Sequence, residues 1–507
     1  MGADQRNDRQ LTIGLRPFYK ALENGDYDRQ LESLYAELMA EGELFQARET
    51  ATRAVSITGG ADERKWVKRE SSASGLITIL YSCWLPDRLL KGLAREPLEP
   101  IDGRVVGFFK SSLPESQAGY AIRTQQTLQA QQSAGFEVHP FTPIGFGDTG
   151  RDSETVGNVT YARLKSTREF PTGSAPGDLE TNTLALYESA RPVRPSLIHA
   201  ASGFIGPEMG LVGLSVAKDL GIPFVYEMRG VLSETWGYRG VRLQVQRQMS
   251  WLRWQQEVRL AREADAVVAL SAGIRSELSR SGVDREKVFI VPNGVDVDVF
   301  SPRVAPPALK RTINPQDLPV VGYVSNLSRR EGHLVLISAI AELKRQGLPV
   351  RCLIVGDGPM QTGIVRSARS LGIDELVSVV GPVPHEEIPD YYALLDIFVV
   401  PREDDRAARY TTPLKPYEAM AMSIPIVVSD LPALREIVGT EQQRGLTFHT
   451  GNASSLAAQL RQLLENPSLA ARLAEEGGRW VREERQWAHN GDRYREVFDF
   501  AFGAMPA

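Results

Sequence analysis

Two charged residues three positions apart, Lys415 and Glu418, form the pattern in this chain with the clearest chemical meaning. The apolar run Ile397–Val400 predicts a β-strand before them, a polar loop follows, and Pro413 or Pro416 opens a helix that contains Glu418. In open α/β sheets, ligands bind where a loop leads from the carboxyl end of a strand into a helix. Free N–H groups at such a helix attract phosphate, Lys415 adds a cation, and Glu418 adds a hydrogen-bond acceptor. A nucleotide diphosphate with a ribose is the kind of ligand that fits.

The composition of the chain excludes several classes of protein. A length of 507 residues accommodates two or three domains with full cores, and the net charge of −5 gives no reason to expect nucleic acid as a partner. Cys83 and Cys352 are too few and too distant for a disulfide framework or a zinc cluster, which fits a reducing compartment. The polar N-terminus shows no secretory signal, and the apolar run from Leu76 to Leu85 is about half the length that spans a bilayer. We therefore expect a cytoplasmic protein.

The first 100 residues are predicted to form a helical extension. Apolar residues recur at helical spacing between Asp26 and Val55, and Gly42 separates two helices. The pair is similar to one tetratricopeptide-like hairpin, which cannot bury its own apolar face. It should therefore pack on the main body or on another subunit, which leaves a homo-oligomer through these helices open. A packing extension is favoured over a peptide-binding module.

Alternating strands and helices begin near Gly103 and predict two Rossmann-like α/β domains, residues 101–305 and 306–488, followed by a closing helix at 489–507. The proline-rich segment from Ser301 to Pro319 is interpreted as a linker, and the stretch from Gly147 to Pro195 as an insertion or long excursion. Two such domains leave a cleft where the carboxyl ends of both sheets face each other. The predicted strands are 105–109, 197–200, 224–228, 266–270 and 288–291 in the first sheet, and 320–324, 352–355, 377–380, 397–400 and 426–428 in the second.

Residues at predicted strand ends of the first domain are candidates for ligand binding. Gly119 follows the first strand at a helix entrance, where glycine lets a ligand approach the backbone, although an ordinary turn explains it as well. Glu227 and Arg229 end a buried strand. A role of Arg229 in binding a phosphate or an acceptor and a purely structural Glu227–Arg229 ion pair are equally good interpretations. His199 ends a strand that faces the cleft, and it is the one of the six histidines that we single out.

The loops of the second domain supply another set of candidates. Ser325, Asn326 and Arg330 follow the first strand of this domain and offer a hydroxyl, an amide and a cation for a diphosphate. A solvated loop is the alternative, and the position after the strand favours binding. Gly356 lies in a strand-to-helix turn that is interpreted as mostly structural, with glycines that let a nucleotide lie close. Val383 follows the next strand, where backbone groups are a candidate for bracketing a base.

Two further features receive a structural interpretation. The run Glu403–Asp405 looks like a metal-binding acidic cluster, but without a histidine partner or a defined spacing a solvated loop is favoured. Trp251 and Trp254 lie with several arginines on one long predicted helix, which is compatible with peripheral membrane contact. The glutamates interspersed on the same helix favour core packing instead.

Together these motifs resemble the family 4 glycosyltransferases, which are retaining enzymes with two facing Rossmann domains, the GT-B arrangement. The resemblance covers roughly Val105 to Phe502 and is most specific in PLKPYEAMAMSIPIVVSDLPALREIV, from Pro413 to Val438. In the family the glutamate of this helix, here Glu418, binds the donor ribose. SLPESQAGYAIRT, VPNGVDVDVF, VGYVSNLSRREG and IVGDGP also match family patterns in the expected order. The closing helix is similar to the family's terminal helix, which crosses back onto the first domain.

Two departures from the family pattern concern single residues. The frequent Glu–x7–Glu pair would place a glutamate at Tyr410, so only its second member, Glu418, is present. The histidine that is often found on the acceptor side is replaced by Arg229.

A third departure concerns the first loop of the second domain. The arginine and lysine that the family usually carries there fall near Ser325 or Asn326 and near Glu331. Lys415 and Arg330 are expected to supply the missing positive charge.

The resemblance implies a retaining hexosyltransferase-type enzyme that moves a sugar from a nucleotide diphosphate sugar, with a UDP-sugar favoured, to an unknown hydroxyl acceptor in glycan, polysaccharide or glycoconjugate synthesis. No metal or other cofactor is expected. Family analogy implies that the donor phosphate takes the acceptor proton, so no dedicated base is needed. The expected catalytic residues are Lys415, Arg330 and Arg229. The expected donor-binding residues are Gly119, Ser325, Asn326, Gly356, Val383, Pro413, Leu414 and Glu418, and those on the acceptor side are His199, Glu227 and Tyr120.

Two other functions are open at this stage. A non-catalytic sugar-nucleotide-binding or scaffold subunit is compatible with the altered phosphate residues and the helical extension, and it would bind a nucleotide without turnover. An epimerase on the same fold would form product without an acceptor, but the sequence shows no clear trio of acidic and histidine residues for that chemistry.

Overall fold

The computed structural model contains a helical pair near the N-terminus and two α/β domains. It describes residues 27–41, 44–57, 65, 66, 69, 98–147, 151–165, 179–203, 206–232 and 243–503. Helices α1 (Tyr27–Glu41) and α2 (Leu44–Ile57) are the predicted helical extension. Leu31, Ala47 and Ala51 are fully buried in one cluster, as their helical spacing requires. The apolar run at residues 76–85 lies outside the described residues.

The first α/β domain is built on an eight-stranded sheet. Its elements are β1 Arg104–Phe108, α3 Gly119–Ser133, β2 Glu137–Thr142, β3 Ser153–Val156, β4 Val159–Arg163, α4 Leu179–Ala190, β5 Leu197–Ala201, α5 Glu208–Leu220, β6 Phe224–Met228, α6 Leu243–Glu263, β7 Ala266–Ala269, α7 Ala272–Arg280 and β8 Val288–Ile290. The strand order is β3-β4-β2-β1-β5-β6-β7-β8, and all neighbours are parallel except β3 and β4. The central strands β5 to β7 are buried along their whole length, which explains their continuous apolar runs.

The described parts of the stretch from Gly147 to Pro195, residues 151–165 and 179–195, belong to this domain, which corrects their interpretation as an insertion or long excursion. The β3–β4 hairpin adds two strands to the sheet beside β2, and Leu179 and Leu186 of α4 join the core of the domain. The sequence of β3, SETV, has no apolar run, because β3 is an edge strand that alternates between exposed and half-buried residues. An edge strand of this kind gives no hydrophobic signal.

The second α/β domain is built on a six-stranded, fully parallel sheet in the order β11-β10-β9-β12-β13-β14. Its elements are α8 Pro307–Ile313, β9 Val320–Val324, α9 His333–Arg345, β10 Arg351–Val355, α10 Gln361–Ser370, β11 Val377–Val379, α11 Ile388–Tyr392, β12 Ile397–Val400, α12 Arg406–Tyr410, α13 Lys415–Ala421, β13 Ile426–Ser429, α14 Pro432–Val438, β14 Leu446–Phe448, α15 Ala453–Glu465 and α16 Pro467–Glu484. The five strands predicted for this sheet are all present, within one residue at each end.

Three short elements of the second domain differ from the sequence prediction. The proline-rich linker contains α8, which Pro307 opens at the first helical position. The loop after β12 contains α12, and Asp405 caps that helix by accepting a hydrogen bond from the Ala408 amide at 2.7 Å. Strand β14 has three residues, too few for a pattern of period two to be recognised.

The last helix, α17 (Asn490–Gly503), packs on the first domain. Tyr494 and Phe498 are fully buried in a cluster with Val105 of β1. The chain therefore crosses between the domains twice, and a β-bridge between Val295 and Gln486 ties the two crossings together. This double crossing sets the carboxyl ends of the two sheets against each other.

Candidate functional site

Lys415 and Glu418 lie at the start of α13, where the sequence places them. Lys415 Nζ is 3.2 and 3.3 Å from the two carboxylate oxygens of Glu418, and the Tyr392 hydroxyl donates a hydrogen bond to Glu418 Oε2 at 2.9 Å. Glu418 is 4% exposed, whereas the Lys415 side chain is 27% exposed. Because α13 has only seven residues, its dipole is short, and Lys415 carries most of the positive charge at this point.

A cleft between the two domains opens beside this pair. It is lined by Ile122 and Gln126 of α3 from the first domain, by Leu414 and Glu418 from the second, and by Trp487 of the returning chain. The cleft thus brings together the helix that follows β1 and the helix that follows β12.

Gly119 begins α3 and faces the donor segment predicted from the sequence. A Cβ atom at Gly119 would lie 3.2 Å from Leu414 Cδ1, so the two domains approach closely here. Pro413 is buried and Leu414 is half-buried beside it. Three predicted donor-binding residues therefore come together at one point of the domain interface.

The loop after β9 is held by side-chain contacts within the second domain. Ser325 Oγ lies 2.9 Å from His333 Nε2, and burial lowers the pKa of His333 to about 4, so this imidazole is neutral at pH 7. Gly356 has φ +136°, and a Cβ there would lie 1.9 Å from the Ser325 carbonyl oxygen. Glycine is therefore required at 356 for close backbone packing. Asn326 follows Ser325 in this loop, and Val383 packs against the core of the second domain.

An ion pair that the sequence analysis missed lies beneath this loop. Arg402 donates two hydrogen bonds to Glu331, at 3.0 and 3.1 Å, and the Tyr323 hydroxyl donates a third. Burial opposes ionisation of Glu331, but the Arg402 guanidinium outweighs it, so the pKa of Glu331 lies below its usual value. Arg402 also donates to the Thr411 carbonyl at 3.1 Å. Its position directly after β12 is the sequence signal that could have identified it.

Arg330 and the acidic run Glu403–Asp405 pair with each other. Arg330 Nε lies 2.6 Å from Asp405 Oδ2, Arg329 Nε lies 3.4 Å from Glu403, and Arg409 pairs with Asp404. Each acidic residue thus has an arginine partner. Among the described residues, no group of three His, Cys, Asp or Glu side chains could hold a metal ion.

In the first domain, the Glu227 carboxylate accepts hydrogen bonds from three other residues of the chain. Its Oε1 atom accepts from Arg123 Nε at 2.7 Å and from Arg229 Nε at 2.8 Å, and its Oε2 atom accepts from the Tyr494 hydroxyl at 2.9 Å. His199 Nε2 lies 3.1 Å from the same Oε2 atom. Burial opposes ionisation of Glu227, but Arg229 and Arg123 outweigh it and hold its pKa well below the usual value. The structure therefore contains the Glu227–Arg229 ion pair that the sequence analysis left open.

His199 is not at the end of a strand and does not face the cleft, contrary to the sequence prediction. It lies in the middle of β5 with 0% exposure, next to the rings of Phe109 and Tyr494. Burial lowers its pKa, so it is neutral at pH 7. The sequence analysis misplaced it because the returning helix α17, which covers this face of the sheet, is remote in sequence.

Tyr120 occupies the first turn of α3 and contacts Arg229. The Arg229 guanidinium carbon lies 4.3 Å from the Tyr120 ring centroid, and Arg229 Nη1 donates to the Tyr120 carbonyl at 3.1 Å. Of the predicted acceptor-side residues, Tyr120 and Glu227 thus both contact Arg229.

The long helix α6 packs into the core along most of its length. Arg253 is 1% exposed and donates to Glu208 at 3.0 Å, and Trp254 is 5% exposed beneath the Arg406 guanidinium. Trp251 is 58% exposed. The prediction that this helix packs in the core is therefore confirmed for Trp254, whereas Trp251 is exposed. Within the described ranges, no helix combines the length and apolar character needed to cross a membrane.

Family models match both α/β domains. Residues 118–294 match the model described as glycosyl transferase 4-like domain, and residues 308–480 match the model described as glycosyl transferases group 1. The two matches lie in the order predicted from the motifs and together cover both sheets apart from β1.

Curated proteins with related sequences are glycosyltransferases. The chain is 29% identical, over 47% of its length, to a GDP-mannose-dependent alpha-(1-6)-phosphatidylinositol monomannoside mannosyltransferase of Mycolicibacterium smegmatis, and spans 63% of that protein. It is 29% identical, over 48% of its length, to a D-inositol 3-phosphate glycosyltransferase of Kineococcus radiotolerans and spans 58% of it. It is 26% identical, over 74% of its length, to a GDP-mannose-dependent alpha-mannosyltransferase of Mycobacterium tuberculosis and spans 93% of it. The chain thus spans about three fifths of the first two relatives.

Solved structures with the same fold confirm the predicted architecture. Sucrose-phosphate synthase of Thermosynechococcus elongatus superposes with a TM-score of 0.63 at 22% identity, covering 79% of this chain and all of that one. The Anabaena protein HepE in complex with UDP superposes with a TM-score of 0.61 at 17% identity, covering 78% of this chain and 99% of that one. The fold class of two facing Rossmann-like domains in the GT-B arrangement is therefore confirmed.

Proposed function

Because the chain belongs to the group 1 glycosyltransferases of family 4, we propose that it transfers a sugar from a nucleotide diphosphate sugar to a hydroxyl acceptor with retention of configuration. The observation that carries the proposal is the Lys415–Glu418 pair at the interdomain cleft, where Glu418 is buried and Lys415 is half-buried. A buried carboxylate with oxygens that still can accept hydrogen bonds suits the two hydroxyls of a ribose, and an adjacent ammonium suits a phosphate.

In this proposal Lys415 stabilises the leaving diphosphate, on which negative charge develops in the transition state. Arg330 adds a second, more distant cation, because its guanidinium is already paired with Asp405. Glu418 positions the ribose, and the close approach of Gly119 to Leu414 places the acceptor-side domain against the donor. The donor phosphate accepts the proton of the acceptor hydroxyl, so the reaction needs neither a dedicated base nor a metal ion. Closure of the cleft excludes water and limits hydrolysis of the donor.

The nucleotide and sugar of the donor are the finer part of the proposal. The sequence analysis favours a UDP-sugar, whereas two of the related proteins are named as GDP-mannose-dependent. GDP-mannose is therefore the first donor to test, and UDP-linked hexoses are the second. A role in glycan, polysaccharide or glycoconjugate synthesis and a location in the cytoplasm stay predictions from the sequence.

A non-catalytic sugar-nucleotide-binding or scaffold subunit is the second candidate. The observation in its favour is Glu331, a carboxylate at the position where the family usually carries a lysine, buried in an ion pair with Arg402. A carboxylate here weakens the positive field that a diphosphate needs.

The two candidates are separated by a donor assay. Purified protein is incubated with GDP-mannose, UDP-glucose and related donors, and both the thermal shift and the release of nucleoside diphosphate are measured. The proposal expects one donor to stabilise the protein and to hydrolyse slowly without an acceptor. Glu418→Gln should weaken binding of that donor about 10- to 100-fold, the cost of a lost charged hydrogen bond. Glu386→Gln, at an exposed glutamate of the same domain, is the matched control. Donor binding without nucleotide release would favour the scaffold.

A further inference from the structure

Two cations of the first domain lie together on one tyrosine ring at the carboxyl edge of the sheet. Lys110 follows β1 and Arg229 follows β6, so both leave the sheet at the same edge as the cleft. Lys110 Nζ lies 4.5 Å from the Tyr120 ring centroid, and the Arg229 guanidinium carbon lies 4.3 Å from it. Each contact is a cation–π interaction, but neither supplies the negative charge that would neutralise a buried cation.

The charges around Lys110 do not balance. Lys110 and Arg229 are accompanied by Arg123. Among the described ion pairs of Glu227, two are formed with Arg123 and Arg229 and none with Lys110. A second carboxylate, Glu208, is paired with Arg253. In the described part of the chain, two carboxylates thus pair with three arginines and leave none paired with Lys110.

A third acidic side chain in this region does not restore the balance. Burial raises the pKa of Glu257 to about 8, so this residue is largely protonated at neutral pH. Its Oε2 atom accepts a hydrogen bond from the Tyr226 hydroxyl. Among the described residues, Lys110 is thus left without a carboxylate partner in a largely buried region, and positive charge there is costly without an anionic partner.

The excess charge also carries unused hydrogen-bond donors. Arg229 is 5% exposed; its Nε atom contacts Glu227 and its Nη1 atom contacts Thr124 at 2.6 Å, but its Nη2 atom has no hydrogen-bond partner in the described part of the chain. Among the described ion pairs, none involves Lys110 Nζ. Burial and the nearby Arg229 lower the pKa of Lys110, and the longer-range field of Glu208 opposes this shift. A buried guanidinium nitrogen without a partner indicates a missing acceptor.

This region adjoins the donor segment of the second domain. A Cβ atom at Gly230, next to Arg229, would lie 2.6 Å from Thr411 Oγ1, and the Thr411 carbonyl accepts from Arg402. Thr411 precedes Pro413, Leu414 and Lys415 by a few residues. Lys110 and Arg229 therefore lie on the acceptor side of the point where the two domains meet.

We propose that Lys110 and Arg229 bind an anionic group, a phosphate or a carboxylate, carried by the acceptor. This inference rests on the proposed function, because it assigns the acceptor class of the same site. Charge-assisted hydrogen bonds from a guanidinium and an ammonium are well suited to either anion. The diphosphate of the donor is assigned to Lys415 in the other domain, so the two anions occupy separate places.

Binding is tested first, because it does not depend on turnover. Inorganic phosphate, glucose, glucose 6-phosphate and glucuronate are titrated by calorimetry into the wild type, Lys110→Met and Lys218→Met. Lys218 lies at the far end of α5 in a surface ion pair with Glu263, so its replacement is the matched control. Glucose 6-phosphate or glucuronate should bind more tightly than glucose, and Lys110→Met should weaken the binding of phosphate and of the preferred sugar anion about 10- to 100-fold, the cost of a lost charged hydrogen bond. Lys110→Arg should restore most of it. Anion affinities that Lys110→Met leaves unchanged would overturn the proposal.

Transfer then shows whether the bound anion belongs to an acceptor. The release of nucleoside diphosphate from the accepted donor is measured with glucose, glucose 6-phosphate and glucuronate, which differ only at the sixth carbon. The proposal expects a faster release with at least one anionic sugar than with glucose, and loss of that difference in Lys110→Met but not in Lys218→Met. A preference for glucose 6-phosphate identifies a phosphate, and one for glucuronate a carboxylate.

Failure of the inference and failure of the proposed function give different results. Donor hydrolysis by the wild type without acceptor supports the proposed function on its own. Donor hydrolysis with equal rates for neutral and anionic sugars would overturn only the anionic acceptor. Absence of donor turnover together with Lys110-dependent anion binding would contradict the proposed transferase function and support an anion-binding site at Lys110.

Discussion

Two buried glutamates, one in each domain, show how different the two walls of the cleft are. Glu227 in the first domain has both oxygens occupied, by Arg123, Arg229 and Tyr494, and it is 0% exposed. Among the described residues, the carboxylate of Glu418 in the second domain is hydrogen-bonded to Lys415 and Tyr392, and Glu418 lines the cleft. The first glutamate has no capacity left for a ligand, whereas the second has.

The difference teaches that a charged residue at the end of a strand or the start of a helix has two possible uses. Glu227 joins β6, α3 and the returning helix α17. Its carboxylate therefore stabilises the packing of three distant parts of the chain. Glu418 has partners only from the same domain, and these leave it open to the cleft. Stability should depend on the first glutamate, and donor binding on the second.

The largest expected effect is on stability. Glu227→Gln leaves two buried guanidinium groups without a counter-charge, which should cost about 3–5 kcal/mol of the free energy of unfolding. Because the pKa of Glu227 in the folded protein lies well below 4.5, its stabilising effect is full above about pH 4.5 and is lost as the pH falls through the folded pKa. Urea unfolding between pH 3 and pH 7 should show this loss in the wild type and not in the variant. Glu137→Gln, at a half-exposed glutamate paired with Arg104, is the control, and equal stability of the two variants would contradict the assignment.

The next effect is on activity with the fold intact. Lys415→Ala removes the ammonium proposed to stabilise the leaving diphosphate and should lower kcat about 100-fold, while the melting temperature changes little, because this side chain is half-exposed. The change in kcat is measured as nucleotide release at saturating donor, and Lys344→Ala on the outer surface is the control. Full turnover by Lys415→Ala would remove Lys415 from the proposed mechanism.

A third change tests a connection between the two walls. Glu277 of α7 in the first domain accepts from Arg406 Nη2 at 2.9 Å and from the Tyr410 hydroxyl at 3.2 Å, both on α12, which leads into the donor segment. Glu277 also pairs with Arg280 of its own helix. Loss of the partly exposed ion pair with Arg406 costs about 0.5–1.5 kcal/mol, so Glu277→Gln should raise the donor KM about 3- to 10-fold and alter kcat less. Glu286→Gln, at an exposed glutamate of the same domain, is the control. An unchanged KM would mean that α12 does not position the donor segment.

The smallest effect is expected at Arg330. Its ion pair with Asp405 is partly exposed, and such pairs contribute about 0–1 kcal/mol. Arg330→Ala should therefore reduce kcat/KM less than fivefold, well below the loss in Lys415→Ala. A loss as large as that of Lys415→Ala would show that Arg330 contacts the diphosphate directly.

The fold was largely predictable from the sequence, because buried parallel strands carry continuous apolar runs. The runs at residues 224–228, 320–324 and 397–400 gave the exact bounds of β6, β9 and β12. Four strands were missed: β2 and β4, which are buried over only part of their length, the edge strand β3, and the three-residue β14. Local pattern therefore determines the elements that are buried on both faces, and gives little information at the edges of a sheet.

The contacts of the candidate site also differ in whether the sequence predicts them. Lys415 and Glu418 are three residues apart on one helix, so the sequence alone determines that they meet. Glu227 and Tyr494 are 267 residues apart, and only the return of α17 onto the first domain brings them together. The same long-range packing buries His199, leaves Arg229 Nη2 without a partner and sets Arg402 against Glu331. The sequence determined which charges the protein carries and which of them are near neighbours. Tertiary structure decided which charges neutralise one another and which remain available to a ligand, because a contact between strands or helices distant in sequence leaves no periodic pattern in the chain.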